Sequence, residues 1–240
     1  MNYRILLVFS VALTVVFSYS CKSAPVIKGA ESDGEVVYKQ GLYYLEKGDY
    51  VNAENKFMKV ISDFSYSIYE PFATVALGDT YFYKEEYPSA VEVYSRFVKM
   101  RPTHEKTPWA ELQMANSYLK QMPSDFFIFP SPSERDVDIV EKAVVQFRHY
   151  LSKYPDDKNR EKGIKDLEKA ELVLIERDLR VAEYYAKKKR CASANTRIKY
   201  ISDNFTVTTE KNKKRISAIL KKCPEVKEEK KPEAKADEKK

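Results

Sequence analysis

Only six glycines occur in 240 residues, against 18 tyrosines and 12 phenylalanines. So little glycine leaves few positions for tight turns, which argues against a turn-rich β fold and for packed helices. Histidine is scarcer still, at two. Neither His104 nor His149 has a Cys, Asp or Glu at a metal-ligand spacing, so no metal site is expected. His104 belongs to a Pro-Thr-His turn with Thr103 as a candidate N-cap for the next helix, and His149 reads as a half-buried packing residue. There is no G-x-S-x-G, no glycine-rich phosphate loop and no C-x-x-C. Glu85 and Glu86 are adjacent carboxylates, but neighbours at i and i+1 point apart on a helix, and nothing places them across a cleft. Neither an enzyme nor a cofactor is expected. The net charge of +6 is modest. The clusters Lys187–Arg190 and Lys211–Arg215 read as solvated helix faces rather than surfaces for acidic partners or head groups, and no nucleic-acid partner is expected.

Long apolar runs are also missing, with one exception at the start. Arg4 precedes the 13-residue run Ile5–Phe17, which has the length of a signal h-region and is too short to span a bilayer. Ser18, Tyr19 and Ser20 lead into Cys21. A small residue directly before this Cys reads as a lipoprotein signal, residues 1–20, cleaved to leave Cys21 as the acylated N-terminus. Ser18 stands where such signals usually carry an aliphatic residue; the other reading is an ordinary cleavable signal with an incidental Cys. More than one acyl chain makes a durable anchor. Lys22, in place of Asp, fits sorting to the outer membrane, so the expected location is its periplasmic face, lipid-anchored. Residues 21–33, with Ser, Pro and Gly, read as a flexible tether. At the other end, residues 224–240 carry six Lys and six acidic residues with almost nothing apolar, the composition of a disordered charged tail.

What the chain does have is a repeat. Gly41, Tyr44, Ala53 and Phe57 recur as Gly78, Tyr81, Ala90 and Tyr94, each 37 residues on; Pro71 and Pro108, and Tyr81 and Tyr118, keep the same spacing. A small residue, a Tyr three later, then Ala-x3-aromatic is the pattern of tetratricopeptide helix pairs. Such a pair cannot bury its own apolar face, so pairs stack. The expected fold is an all-α, tetratricopeptide-like helical-hairpin solenoid of four to five repeats over residues 34–223. Helices are expected near Val36–Glu46 and Tyr50–Asp63, with Gly48 in the turn between them. Pro71, Pro88 and Pro108 stand where helices open, a position that tolerates the missing N–H. The third repeat keeps Ala115 and Tyr118, but its Ala143 and Phe147 arrive 16 residues late. An insertion carrying Phe126, Phe127, Phe129, Pro130, Pro132 and Asp136 accounts for the delay. Ala182, Tyr185, Ala194, Ile198 and Ile201 restore the internal spacing in repeat four, and a last helix near Lys213–Lys222 would cap the stack.

Register assigns the small residues and tyrosines to hairpin packing. The face of each first helix left over would line a groove: Tyr38, Leu42 and Leu45 in repeat one; Phe72, Val75, Asp79 and Phe82 in repeat two; Trp109, Leu112, Asn116 and Leu119 in repeat three. That lining suits an extended or helical peptide with aromatic side chains; the alternative is that many of these residues pack on neighbouring helices. Register also makes Cys191 and Cys223 neighbours. In an oxidising compartment they would bridge a 32-residue span; two free thiols are the other reading.

Several strings resemble the BamD (ComL-type) lipoprotein family of the outer-membrane β-barrel assembly machinery. These are Tyr81-Phe82-Tyr83-Lys84 before Ala90 and the run Arg96-Phe97-Val98-Lys99-Met100-Arg101-Pro102-Thr103-His104. Phe126-Phe127 with Arg135-Asp136 in the interrupted third repeat, and Val181-Ala182-Glu183-Tyr184-Tyr185, complete the set. The likeness covers Val36 to about Phe205; the family's fifth helix pair is shortened here to Cys223 and the charged tail. It implies a non-enzymatic lipoprotein subunit that scaffolds a BamA-type barrel insertase through a POTRA domain, beside other assembly-machinery lipoproteins. It also implies that the N-terminal repeats receive C-terminal signals of unfolded outer-membrane proteins, and it matches Arg197 to an insertase-contact position. Another periplasmic tetratricopeptide adaptor, for instance one coordinating cell-wall synthesis, is the alternative.

Overall fold

Glycine 41 sits where a Cβ would come within 2.6 Å of the Phe57 ring, and Gly78 stands 2.5 Å from Tyr94 in the same way. Those two contacts generate the architecture: a missing side chain on one helix admits the aromatic of the next, and the backbones close up. The computed structural model describes residues 33–122, 138–205 and 209–224. Among them are nine helices and no strand: α1 Asp33–Glu46, α2 Tyr50–Asp63, α3 Glu70–Tyr83, α4 Tyr87–Met100, α5 Thr107–Lys120, α6 Asp138–Lys153, α7 Arg160–Lys187, α8 Cys191–Asn204 and α9 Glu210–Lys222. The class is the all-α, tetratricopeptide-like helical-hairpin solenoid that the spacing predicts. The chain divides into two compact units at Glu70–Pro71.

The first unit holds the α1–α2 hairpin, with Ala53, Phe57 and Val60 fully buried. Gly48 makes the turn at φ +73°; its N–H donates to the Leu45 carbonyl and that of Asp49 to Tyr44. The Asp49 side chain then accepts from the Asn52 N–H, capping α2.

The second unit repeats the device. Ala90, Tyr94 and Phe97 of α4 are fully buried against Val75, Ala110 and Met114, and Ala143, Phe147 and Tyr150 of α6 pack with Leu112 and Ala115 of α5. Glu85 and Lys189 occupy the turn position held by Gly48 in the first hairpin, at φ +63° and +59°, with the same pair of closing hydrogen bonds. Two non-glycine residues thus adopt the left-handed conformation because the hairpin geometry requires it there.

Repeat spacing does not foresee α7. It has 28 residues, about 42 Å of helix, and serves two hairpins in succession. Its first half packs on α6, where a Cβ at Gly163 would come within 2.9 Å of the Tyr150 ring. Its second half packs Leu179 and Ala182 on Ala194 and Ile198 of α8. Between Gly163 and Lys187 there is neither Gly nor Pro, so nothing interrupts it. The helix after the Pro-Thr-His turn is also capped differently from expectation. Its N-cap is Lys106, without a side-chain cap, whereas Thr103 lies back in the turn. The turn is held instead by the Lys106 N–H donating to His104 Nδ1 at 3.1 Å and the Thr107 hydroxyl donating to the Arg101 carbonyl at 2.6 Å.

Cys191, first in α8, and Cys223, directly after α9, are joined as a disulfide with Cα atoms 4.9 Å apart. The signal segment with Cys21, the tether to residue 32, the inserted aromatics Phe126, Phe127 and Phe129, and the tail from residue 225 lie outside the described residues. No helix among the described residues is long and apolar enough to cross a membrane.

Candidate functional site

Along α3, Phe72, Val75, Asp79 and Phe82 follow at steps of three and four, so they share one face. What surrounds Asp79 decides the character of that face. Its Oδ1 accepts from the Tyr94 hydroxyl at 2.6 Å and from Trp109 Nε1–H at 3.0 Å. Burial raises the Asp79 carboxyl to about 6, against the pull of those two hydrogen bonds and of the Lys106 and Lys162 charges. The same burial, and the facing carboxylate, push the Tyr94 hydroxyl well above its usual value, so Tyr94 keeps its proton and donates. Lys162, at the start of α7, places its Nζ 5.5 Å over the Trp109 ring. Trp109 is therefore held by its N–H on one side and its π face on another.

Phe72 meets the His104 ring edge-on at 5.3 Å and has Lys106 Nζ 5.6 Å from its ring. His104 also meets Phe97, at 5.4 Å. Phe82 lies against Tyr87 at 5.5 Å and Tyr83 at 5.8 Å. Phe72, Phe82 and Trp109 are half-buried: each is anchored in the core and leaves part of its ring at the surface. The arrangement is an aromatic surface around one hydrogen-bonded carboxyl, fit to bind apolar side chains and offering no nucleophile–base pair.

The remaining expected lining residues divide. Leu112 is fully buried beside Phe147 and Tyr150, Val75 is 4% exposed in the α3–α5 core, and Asn116 is buried with its amide donating to Gln113 Oε1. Leu112 and Val75 are core because α6 and α4 cover the sides of α5 and α3 on which they stand; Leu119 likewise packs in part against that core. In the first unit, Tyr38 packs against Phe57 and Tyr69 at 6.0 and 5.5 Å, Leu45 is half-buried, and Leu42 is 39% exposed.

Arg197 has a partner that spacing could not supply. Its Nη1 bonds Oδ1 of Asp178 at 3.2 Å, and that carboxylate, fully buried on α7, also receives Arg177 Nη2 at 3.1 Å. The Arg197 side chain is nonetheless 45% exposed. A second buried acid, Glu111, accepts from Lys153 and from the Tyr154 hydroxyl on Oε1. His149, far from half-buried packing, is 54% exposed and places Nε2 3.2 Å from Glu111 Oε2, close enough for an ion pair but off hydrogen-bond geometry. Lys162, Asp178 and Glu111 escape sequence reasoning because the partners named here, Trp109, Arg197 and Lys153, lie on other helices.

The profile of the YfiO family, described as outer membrane lipoproteins, matches residues 30–239. The outer membrane protein assembly factor BamD of Vibrio cholerae is 22% identical over 200 residues, covering 82% of this chain and 81% of that protein. BamD of Rickettsia prowazekii is 22% identical over 191 residues, 78% of this chain and 72% of its own length. BamD of Xylella fastidiosa is 21% identical over 178 residues, 71% of this chain and 59% of its own.

Proposed function

Because this chain belongs to the YfiO family of outer membrane lipoproteins, we propose that it is an assembly factor for outer membrane β-barrel proteins. In this reading it is a non-enzymatic subunit, anchored through Cys21 on the periplasmic face. Its C-terminal hairpins engage a BamA-type insertase through a POTRA domain. Beside it stand the other lipoproteins of the machinery. The names of the relatives support this over a cell-wall adaptor. One observation carries the receptor half of the proposal: Trp109, pinned by Asp79, presents part of its ring beside the helix face that carries Phe72 and Phe82. Rigid, half-buried aromatics anchor a partner's apolar side chains at little entropic cost, which suits the aromatic C-terminal signals of unfolded barrel proteins.

Trp109 is the chain's single tryptophan, so its emission reports on this face directly. Titrating a peptide that ends in an aromatic residue should shift the emission saturably, and the same peptide ending in Ala should not. Identical responses to both peptides would remove the receptor role. The subunit role is tested separately, by detergent pull-down from the native envelope with a C-terminal tag. A large POTRA-bearing barrel should be recovered; its absence would overturn the assembly reading.

A further inference from the structure

The disulfide does more than close a hairpin. It brings the turn Lys187-Lys188-Lys189-Arg190, which immediately precedes Cys191, next to Lys221-Lys222, which immediately precede Cys223. Along the sequence these two stretches are far apart; in the fold they are one cationic corner. All six side chains are exposed, and none forms an ion pair with a carboxylate among the described residues. Some basic residues nearby are paired: Arg197 on Asp178, Arg215 on Glu176 and Glu183, Lys213 on Glu210. From Lys187 to Cys223 the chain carries twelve basic residues against Asp203 and Glu210, a surplus of ten where the whole chain has +6. Lys189 occupies the left-handed turn position that Gly48 fills in the first hairpin, which sets its side chain at the tip of the turn.

We propose that this corner docks on the anionic phospholipid headgroups of the membrane leaflet with which the protein is associated. Four to eight clustered Lys and Arg side chains match a layer of phosphodiesters, where each cation meets its own anion without needing a shaped partner. A protein interface of comparable affinity would need a buried aromatic or apolar anchor at its centre, and lysine is depleted from such centres. The aromatic here sits at the margin instead. Tyr184 is 56% exposed with Lys188 Nζ 5.9 Å from its ring, the amphipathic pairing that favours a headgroup boundary. The contact would be a second tie to the membrane. It rests on the outer membrane association of the family and not on the peptide-binding face.

The test uses the full acylated chain reconstituted in vesicles of phosphatidylcholine alone or with one third phosphatidylglycerol. Lysine acetylation rates are read residue by residue by mass spectrometry. At low salt, Lys187, Lys188, Lys189, Lys221 and Lys222 should react at least about threefold more slowly on the anionic vesicles, relative to Lys142 on α6. High salt should abolish the difference, since screening shortens to a few ångströms near 1 M. Lys188→Glu with Lys222→Glu, both exposed and without an ion pair among the described residues, should release the protection of Lys187, Lys189 and Lys221. Equal rates on the two vesicle types would overturn the proposal. So would protection that appears only when envelope protein is added, which would assign the corner to an acidic protein.

Discussion

Asp79 Oδ1 holds the Trp109 indole N–H at 3.0 Å and the Tyr94 hydroxyl at 2.6 Å, so a single carboxyl oxygen ties three helices of the second unit together. Its oxygens must be desolvated to do so, which is why the group titrates near 6 rather than near its ordinary value of 3.8.

That shift has a sign. Between pH 4 and 6 the folded state holds a proton on Asp79 that the unfolded chain has released. The stabilisation is therefore fully present below the unfolded value and is lost as pH rises through about 6. A shift of this size corresponds to about 2–3 kcal/mol. Asp79→Asn keeps an acceptor for both donors but cannot ionise. The stability difference between variant and wild type, from urea unfolding at pH 4 to 8, should grow in the variant's favour across that interval. A difference independent of pH would show that Asp79 is not titrating there.

Gly78→Ala should destabilise by about 1–3 kcal/mol in spite of alanine's better helix propensity, because the new methyl meets the Tyr94 ring at 2.5 Å and the core cannot yield freely. Glu85→Gly and Lys189→Gly should go the other way, gaining up to about 1 kcal/mol by relieving φ values of +63° and +59°. Thermal unfolding of the three variants decides it; a neutral Gly78→Ala would mean the two helices can separate without loss.

Arg197 is poorly suited to a charge-reversal test of partner binding. Replacing it with Glu would leave two carboxylates facing each other at the fully buried Asp178, so an effect on binding would be confounded by unfolding at a cost of about 3–5 kcal/mol. Arg197→Gln alone should lower stability less, and Arg197→Gln with Asp178→Asn should recover most of it. If pull-down of a barrel weakens in both variants while urea midpoints recover only in the double one, Arg197 is a contact in its own right. If recovery follows stability, its role is structural.

Reduction of Cys191–Cys223 releases a 32-residue span, for which the chain-entropy account gives about 3–4 kcal/mol. The urea midpoint of the wild type should fall on adding reductant, and that of Cys191→Ala with Cys223→Ala should not respond. An unresponsive wild type would mean that the thiols are not paired in the isolated protein.

The 37-residue spacing was enough to place α1 to α5 within a few residues, because each boundary is marked locally. Gly48 turns the chain, Pro88 and Pro108 open helices, and Ala53, Ala90, Ala143 and Ala194 mark the close approaches, all four at 0% exposed. Less of the candidate site was legible. Phe72, Phe82 and Trp109 are half-buried, whereas Leu112, Val75 and Asn116 have the same spacing and are buried.

What the amino-acid order determines here is therefore which residues of a helix share a face and where helices begin and end, since both follow from contacts within a few residues of the chain. The tertiary structure alone decides what covers each face. A first helix in these hairpins is packed on more than one side, and periodicity cannot distinguish a covered side from an open one. For the same reason the fold alone reveals the Asp178–Arg197 pair, the Lys162–Trp109 contact and the joining of two basic runs into one corner. Their partners stand on different helices, brought together only when the hydrophobic faces close.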